Sequence, residues 1–317
     1  MSKKRVRKQT VTQQIMQKVY ALLESHEHDL TRKQYARQVK QYIKYCREQF
    51  DARSFEECSI HIQEYSNYLQ KERYTASTIH TYLSAVCNVF SKNLSDISKP
   101  IRHTANYTKG RQNALQDTEN DFNNLKHAHI VEFQRCAGLR RNELRHLTGA
   151  DLIRDESGYL CIHIRKGKGG KTQYQRILEE DEPFIRSYFE NTKQNERIFE
   201  EKYFKNNLNF HALRAESARK YYEIQIQKIN ENPHYRTQLE QEIRARWNAM
   251  NISKNGKVKP LAYHELCGVY TLRGKNRALA RAKGLSVHYD KTALLATSIF
   301  KLSHWRNDVT IASYMLA

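Results

Sequence analysis

The sequence predicts a mostly helical protein that carries one small antiparallel β-hairpin and divides into two domains. Apolar residues recur at helical spacing through residues 11–92, which indicates an N-terminal helical domain over residues 1–92. Residues 93–112 are polar with little periodicity and are interpreted as a linker. Two strand-like runs flank the glycine-rich turn at 167–170, inside a second domain that spans 113–317. A chain of 317 residues has room for both domains.

The clearest N-terminal helix begins at Thr75, a residue type that caps helices well. One face of this helix carries the apolar residues Ile79, Tyr82, Leu83, Val86 and Phe90. Weaker versions of the same pattern cover Val11–Glu24, Thr31–Phe50 and Ser59–Lys71. We therefore expect a four-helix module with basic and aromatic residues on its outside.

The linker and the start of the second domain carry charge and helix-boundary residues. Between Ser91 and Arg111 there are five Lys or Arg residues, which suit contact with phosphates. A helix capped by Asp117 is expected to run to about Cys136, with Gly138 as its stop. A short helix at about 142–147 should follow.

The rest of the second domain is predicted as a hairpin followed by helices. The hairpin strands are Tyr159–Ile164 and Thr172–Leu178. Residues 225–290 are charged and partly helical, with a loop at Asn255-Gly256. An apolar helix over Lys291–Leu302 and a short terminal helix carrying Tyr314 complete the prediction.

Composition narrows the function to nucleic-acid chemistry. Lys and Arg number 54 against 34 Asp and Glu, so the net charge is +20. A polyanion relieves the self-repulsion of so basic a protein, and duplex DNA offers a charge every roughly 1.7 Å. Charge alone leaves open a ribosome-like or non-specific binder. No basic amphipathic helix with bulky apolar anchors indicates a membrane surface, and no apolar run approaches the roughly 18 residues of a membrane span.

Metal, disulfide and secretory readings are disfavoured. The 6 cysteines are scattered without a CxxC pair, so neither a zinc site nor a disulfide framework is expected. The basic N-terminus is not followed by an apolar stretch, so we expect a cytoplasmic protein rather than a secreted one.

Four basic segments and one tyrosine contain the candidate catalytic residues. They are Gly138-Leu-Arg-Arg-Asn-Glu143, the turn Arg165-Lys-Gly-Lys-Gly-Gly-Lys171, His211-Ala-Leu-Arg214 and Leu302-Ser-His304, with Tyr314 following. A phosphodiester under in-line attack gathers charge that two arginines can bind, while imidazoles and a lysine handle protons and a tyrosine attacks. The turn is not a P-loop, because the first glycine is missing and the turn joins two strands.

In this order the motifs resemble the tyrosine recombinase (phage integrase) family. The matches are Gly-Leu-Arg-x-x-Glu, Gly-Lys-Gly-x-Lys, His-x-x-Arg, Leu-x-His and the trailing tyrosine. The resemblance implies an active site of Arg140, Lys168, His211, Arg214, His304 and Tyr314. Lys166 and Lys171 are rivals of Lys168. The helical N-terminal module is similar to the family's core-binding domain, and the second domain to its catalytic domain.

The resemblance implies a site-specific recombinase or integrase that works through a 3′-phosphotyrosine intermediate. Such an enzyme needs no metal, ATP or other cofactor. It would act in the cytoplasm, on the DNA of the nucleoid. It further implies a homotetramer on paired sites, with an accessory DNA-bending protein as a further expected partner. Expected DNA-binding residues are Lys109, Arg111, Arg141, Lys166, Lys171, Arg273, Lys275 and Arg277. Two alternatives remain: a non-catalytic DNA-binding regulator on the same fold, and a topoisomerase-like relaxing enzyme.

The chain departs from the family pattern in several places. Ser303 stands where the family usually has glycine, and Ala215 where many members have a second histidine. Arg214 and His304 are about 90 residues apart, several times the usual gap, so the region near 225–290 is interpreted as an insertion. Family members often continue past the tyrosine with a helix that docks on a neighbouring subunit, whereas this chain stops three residues after Tyr314.

Overall fold

The computed structural model describes residues 10–24, 29–102, 127–167, 170–205, 208–250 and 261–317. The chain divides into two compact units, Met1–Thr108 and Lys109–Ala317. The predicted class, mostly helical with a small antiparallel sheet, is confirmed. No helix within the described ranges is long and apolar enough to cross a membrane.

The first unit is built from helices around one apolar core. Its helices are α1 (Val11–Leu23), α2 (Asp29–Phe50), α3 (Phe55–Cys58), α4 (Ile62–Lys71) and α5 (Ala76–Val89). Thr10 and Gln13 form a reciprocal capping box at the start of α1, and the Thr75 hydroxyl accepts from the Thr78 amide at the start of α5. Val39 and Tyr42 of α2 and Leu83 of α5 are buried at the centre of the core.

The predicted linker is partly described. Residues Leu94–Asp96 form a 3₁₀ turn, and Leu94 and Ile97 pack against the core of the first unit. The Lys99 ammonium donates to the Leu94 and Ile97 carbonyls. Residues 103–112, with Lys109 and Arg111, lie outside the described residues, as does the predicted helix start at Asp117.

The second unit begins, in its described part, with α6 (Ala128–Ala137), which ends at Gly138 as predicted. Gly138 has a φ of +67° and serves as the left-handed C-cap. A side chain here would also collide, because a Cβ would lie 2.7 Å from Ser217 Oγ. The backbone of Gly138 can therefore approach the helix that carries Ser217.

A three-stranded antiparallel sheet follows a short helix, α7 (Arg141–Arg145). The strands β1 (Leu152–Arg154), β2 (Leu160–Ile164) and β3 (Gln173–Arg176) lie in the order β1-β2-β3. The hairpin of β2 and β3 was predicted, although β3 is shorter than expected. Strand β1 was not predicted, because three residues are too few to show an alternating pattern.

The remaining elements are helices with a second small sheet. They are α8 (Glu182–Glu190), α9 (Phe210–Glu231), α10 (Pro233–Met250), α11 (Tyr263–Leu266), β4 (Val269–Thr271), α12 (Gly274–Ala282), β5 (His288–Asp290), α13 (Lys291–Ala296) and α14 (Asn307–Thr310). Strands β4 and β5 pair antiparallel on either side of α12, a feature that the sequence did not predict. The expected loop at Asn255-Gly256 lies outside the described residues.

The predicted C-terminal helices both change pitch. The apolar segment is α-helical only to Ala296 and continues as a π-helix over Thr297–Lys301. The segment carrying Tyr314 is likewise a π-helix, over Ile311–Met315. π-Helical turns are rare and frequently lie at functional sites, so both segments are candidates for a functional role.

Residues of the predicted insertion pack against these C-terminal segments. Leu239 and Ile243 of α10 share a core with Leu295 and Phe300. Leu272, Ala280 and Tyr289, from the β4–α12–β5 segment, share another core with Leu302, Ile311 and Tyr314. Most of the region 225–290 is thus an integral part of the second unit.

Candidate active site

Arg140 is held at the beginning of α7 by its own helix. The chain leaves Gly138, and the Arg140 residue becomes the N-cap of α7. Glu143, three residues on, accepts from the Arg140 amide at 2.8 Å and from Arg140 Nη1 at 2.6 Å. The Glu143 side chain is buried while 28% of the Arg140 side chain stays exposed. Glu143 therefore fixes the direction of a guanidinium that is still reachable from solvent.

Arg214 lies on α9 and is one of the largest fully buried side chains, with 1% exposed. Its Nη2 donates to the Leu302 carbonyl at 2.9 Å, and Nη1 donates to the Gly138 carbonyl and, at 3.3 Å, to Gln175 Oε1. Glu143 Oε2 lies 3.8 Å from Nη1, so this carboxylate faces both arginines. The guanidinium is thus surrounded by four groups from three parts of the chain, which are residues 138–143, β3 and Leu302.

The pKa of Arg214 is lowered, chiefly because burial disfavours the charged form. The nearby Arg140 acts in the same direction, while Tyr314 and Glu143 oppose it. Arginine keeps its charge in proteins even so. The Nε–H of Arg214 is buried with no hydrogen-bond partner among the described residues.

His304 is presented by an unusual backbone conformation. Ser303 has a φ of +54°, in the left-handed region that favours glycine. The His304 amide then donates to the Ser298 carbonyl at 2.8 Å. The Nδ1 atom accepts from the Arg306 amide at 3.3 Å, which assigns the proton of the neutral ring to Nε2. The glycine expected here by resemblance is replaced, and the conformation that would favour glycine is kept.

The surroundings of His304 favour the neutral form of its imidazole. Burial is the main cause that lowers its pKa to about 4, and the positive charges of Arg214, Arg140 and Arg306 add to the effect. Within the described part of the chain, neither His304 Nε2 nor the buried Ser303 hydroxyl has a hydrogen-bond partner. At neutral pH the ring therefore offers an uncharged N–H donor.

Tyr314 lies among these groups. Its side chain is buried, and its ring centroid is 5.2 Å from that of His211 and 6.1 Å from that of His304. The Arg214 guanidinium carbon lies 5.8 Å from the Tyr314 ring centroid. Arg219 on α9 donates to the Tyr314 carbonyl at 2.9 Å, which ties the π-helical segment to the helix that carries Arg214.

Five of the six residues implied by the resemblance therefore surround one site: Arg140, His211, Arg214, His304 and Tyr314. The sixth, Lys168, lies outside the described residues. Its rivals Lys166 and Lys171 are exposed on either side of the hairpin turn.

Sequence reasoning missed groups that hold the site in place. The motif places Glu143 at the start of the next helix but does not predict that it holds Arg140, although an acidic residue three positions after a helix cap is a recognisable pattern. Gln175 is fully buried in β3, where a polar residue on the inward face could have been noticed. Nothing in the local sequence indicates that Arg219 contacts the Tyr314 backbone.

The other residues expected to bind DNA lie on the surface. Arg141 is exposed, donates to the Phe204 carbonyl and lies 5.2 Å from the Phe210 ring centroid. Three further basic residues are exposed at the beginning of α12: Arg273, Lys275 and Arg277.

Comparisons with known proteins add little to this geometry. No protein-family model and no curated protein sequence matches the chain. A solved structure described as the crystal structure of XerA recombinase is similar to 65% of this chain over 82% of its own, with 19% identity and a TM-score of 0.22. A likeness at that level does not decide between functions, which have to be argued from the site itself.

Proposed function

We propose that the protein cuts and rejoins duplex DNA as a site-specific tyrosine recombinase, with Tyr314 as the nucleophile. One observation carries the proposal: the Tyr314 ring is packed between two imidazoles and a buried guanidinium. Catalysis of phosphoryl transfer is mainly positioning and electrostatic stabilisation, and this arrangement supplies both.

The reaction begins with attack of the Tyr314 phenolic oxygen on a phosphorus atom of the DNA backbone. The new bond is a 3′-phosphotyrosine, and the bond from phosphorus to the 5′ oxygen breaks. The phenolic proton passes to the imidazole of His211, and the departing 5′ oxygen takes a proton from Lys168, with Lys166 and Lys171 as alternatives. Attack of a 5′ hydroxyl on the phosphotyrosine reverses these steps and rejoins a strand.

Arg140 and Arg214 would stabilise the charge that gathers on the pentavalent phosphate. Arg214 still has an unpartnered Nε–H, while its Nη1 donates to the Gly138 carbonyl and Gln175 and its Nη2 donates to the Leu302 carbonyl. Arg140 is partly exposed, so it can reach a backbone phosphate. A rigid guanidinium with a free donor costs little reorganisation when charge develops.

His304 and Ser303 supply further unpartnered buried groups beside the nucleophile. An unsatisfied buried polar group costs about 1–3 kcal/mol, so a protein retains such groups where a ligand completes them. A phosphate oxygen is a hydrogen-bond acceptor that suits the Nε2–H of a neutral His304. These unpartnered side-chain groups further support an anionic ligand.

DNA binding would use the exposed basic residues of the second unit together with the net charge of +20. We assign phosphate contacts to Arg141, Lys166, Lys171, Arg273, Lys275 and Arg277, and to Lys109 and Arg111. Four protomers on two paired sites, with an accessory DNA-bending protein and action on the nucleoid in the cytoplasm, complete the proposal.

An Arg214→Ala variant separates an enzyme from a DNA-binding regulator. An enzyme should lose covalent protein–DNA adduct by at least about 100-fold while it keeps most of its DNA affinity, since removing one preorganised donor already costs that much. Arg186→Ala, which changes a half-buried arginine of α8 away from the site, is the matched control, and circular dichroism checks folding. Tight DNA binding by the wild-type protein with no adduct under any condition would overturn the proposal in favour of the regulator.

A further inference from the structure

Lys301 is a buried lysine that the proposed chemistry does not use. Among the described residues it is the only buried lysine, with 1% of its surface exposed, and it ends the π-helix that precedes Leu302. Its Nζ donates to the Cys136 carbonyl at 2.5 Å and to the Arg176 carbonyl at 3.3 Å. The Tyr221 ring lies 6.0 Å away. Burial of an ammonium group costs free energy, so a buried lysine at this position indicates a structural or functional role.

The two carbonyls that Lys301 binds belong to the segments that also bind Arg214. Cys136 lies two residues before Gly138, whose carbonyl accepts from Arg214. Arg176 directly follows Gln175, whose side chain accepts from Arg214. Leu302, the third acceptor, directly follows Lys301 itself.

Lys301 and Arg214 are therefore two buried basic side chains that connect the same three pieces of backbone. These are the end of α6, the end of β3 and the end of the π-helix before His304. Movement of any of these segments would displace an acceptor of Arg214. The third segment continues through Ser303 into His304, so its position also sets the place of the imidazole.

The charged groups around Lys301 come from several elements. Burial lowers its pKa to about 7, and the positive charges of Arg214 and Lys220 act in the same direction. Asp181 and the Cys136 thiol favour the charged form. The ammonium and the neutral amine both carry N–H groups, so the bonds to the two carbonyls are available in either form.

We propose that Lys301 is a positioning residue that holds together the three backbone segments around Arg214 and thereby fixes Arg214 and His304 for catalysis. The catalytic consequence rests on the proposed function. The effect on the geometry of Arg214 and His304 does not require DNA cleavage.

The test compares Lys301→Met, which keeps a long apolar side chain without the donor, with Lys228→Met as a matched control. Lys228 also lies in the second unit, on α9, where its ammonium pairs with Glu179 at 3.0 Å. The titration of His304 is followed by NMR of ¹³C-labelled histidine, with His304→Gln to assign the signal. The rate of covalent adduct formation on DNA is measured in parallel.

Displacement of Arg214 in Lys301→Met should raise the pKa of His304 by about one unit, because a neighbouring positive charge shifts a pKa by about that much. Adduct formation should fall at least about 10-fold, since small misplacements of catalytic groups cost this much or more. Lys228→Met should change neither. An unchanged His304 titration in Lys301→Met overturns the proposal.

Two further arms keep the outcomes distinct. If Lys301→Met does not fold, Lys301→Leu, which also lacks a donor for the Cys136 and Arg176 carbonyls, is measured in the same way, and an unshifted His304 there overturns the proposal. If the wild-type protein forms no adduct but Lys301→Met still shifts His304, the positioning role is supported and the recombinase function fails. A lost adduct rate with an unshifted His304 refutes positioning while the recombinase function stands.

Discussion

Lys301 should make the stability of the second unit depend on pH in a characteristic way. Burial lowers the pKa of this lysine from 10.5 to about 7. Between these values the unfolded state binds more protons than the folded state, so stability rises with pH. The penalty for burying the charge is fully present below pH 7 and disappears as the pH rises to 10.5.

The size of the effect follows from the pKa difference. One unbalanced proton changes the free energy of unfolding by about 1.4 kcal/mol per pH unit. From pH 7 to pH 9 the wild-type protein should therefore gain about 2 kcal/mol relative to Lys301→Met. The loss of the two hydrogen bonds to carbonyls costs the variant about 1–3 kcal/mol at every pH and does not alter this slope.

The measurement is urea unfolding at pH 7, 8 and 9, followed by tryptophan fluorescence. The chain has 2 tryptophans, Trp247 and Trp305, whose ring centroids are 4.8 Å apart in the second unit. The fluorescence therefore reports on the unit that contains Lys301. Parallel stability curves for the wild-type protein and Lys301→Met between pH 7 and pH 9 would show that the lysine titrates normally and refute the reasoning.

Two further outcomes concern the His304 segment. Between pH 7 and pH 4.5, His304→Gln should lose about 2 kcal/mol less stability than the wild-type protein. The reason is that the folded-state pKa of His304 is about 4, so below pH 6.5 the unfolded wild-type protein binds more protons than the folded one. Equal losses of stability in urea unfolding would contradict this. Ser303→Gly should raise stability by about 1 kcal/mol, since it relieves a φ of +54°. It should also slow adduct formation about 5-fold, since it removes a hydroxyl proposed to contact the phosphate, worth about 1 kcal/mol. A lower unfolding midpoint or an unchanged adduct rate would contradict this.

Local sequence patterns predicted the parts of the fold that depend on local physics. Gly138 was predicted as a helix stop, and its left-handed conformation is what only glycine adopts without strain. The hairpin was predicted because a glycine-rich turn separates two strand-like runs. Strands β4 and β5 were missed, because each has three residues and their pairing depends on contacts across α12.

The sequence predicted which residues belong to the candidate site, but it did not predict the contacts that hold them together. Arg214 donates to the Leu302 carbonyl across 88 residues of sequence, a contact that no local pattern reveals. Lys301 was taken as part of an apolar helix, where a lysine usually reaches solvent, and only the tertiary structure shows its burial. Its contact with Cys136 spans 165 residues.

The central claim is that Tyr314 becomes covalently linked to DNA. A plasmid carrying the DNA that flanks the gene would be incubated with the wild-type protein, Tyr314→Phe and the control Tyr289→Phe, which changes another buried tyrosine of the same unit. The account predicts an SDS-resistant adduct with a free 5′ hydroxyl end for the wild-type protein and Tyr289→Phe, and none for Tyr314→Phe. An adduct that persists in Tyr314→Phe, or DNA binding without any adduct in the wild-type protein, would contradict it.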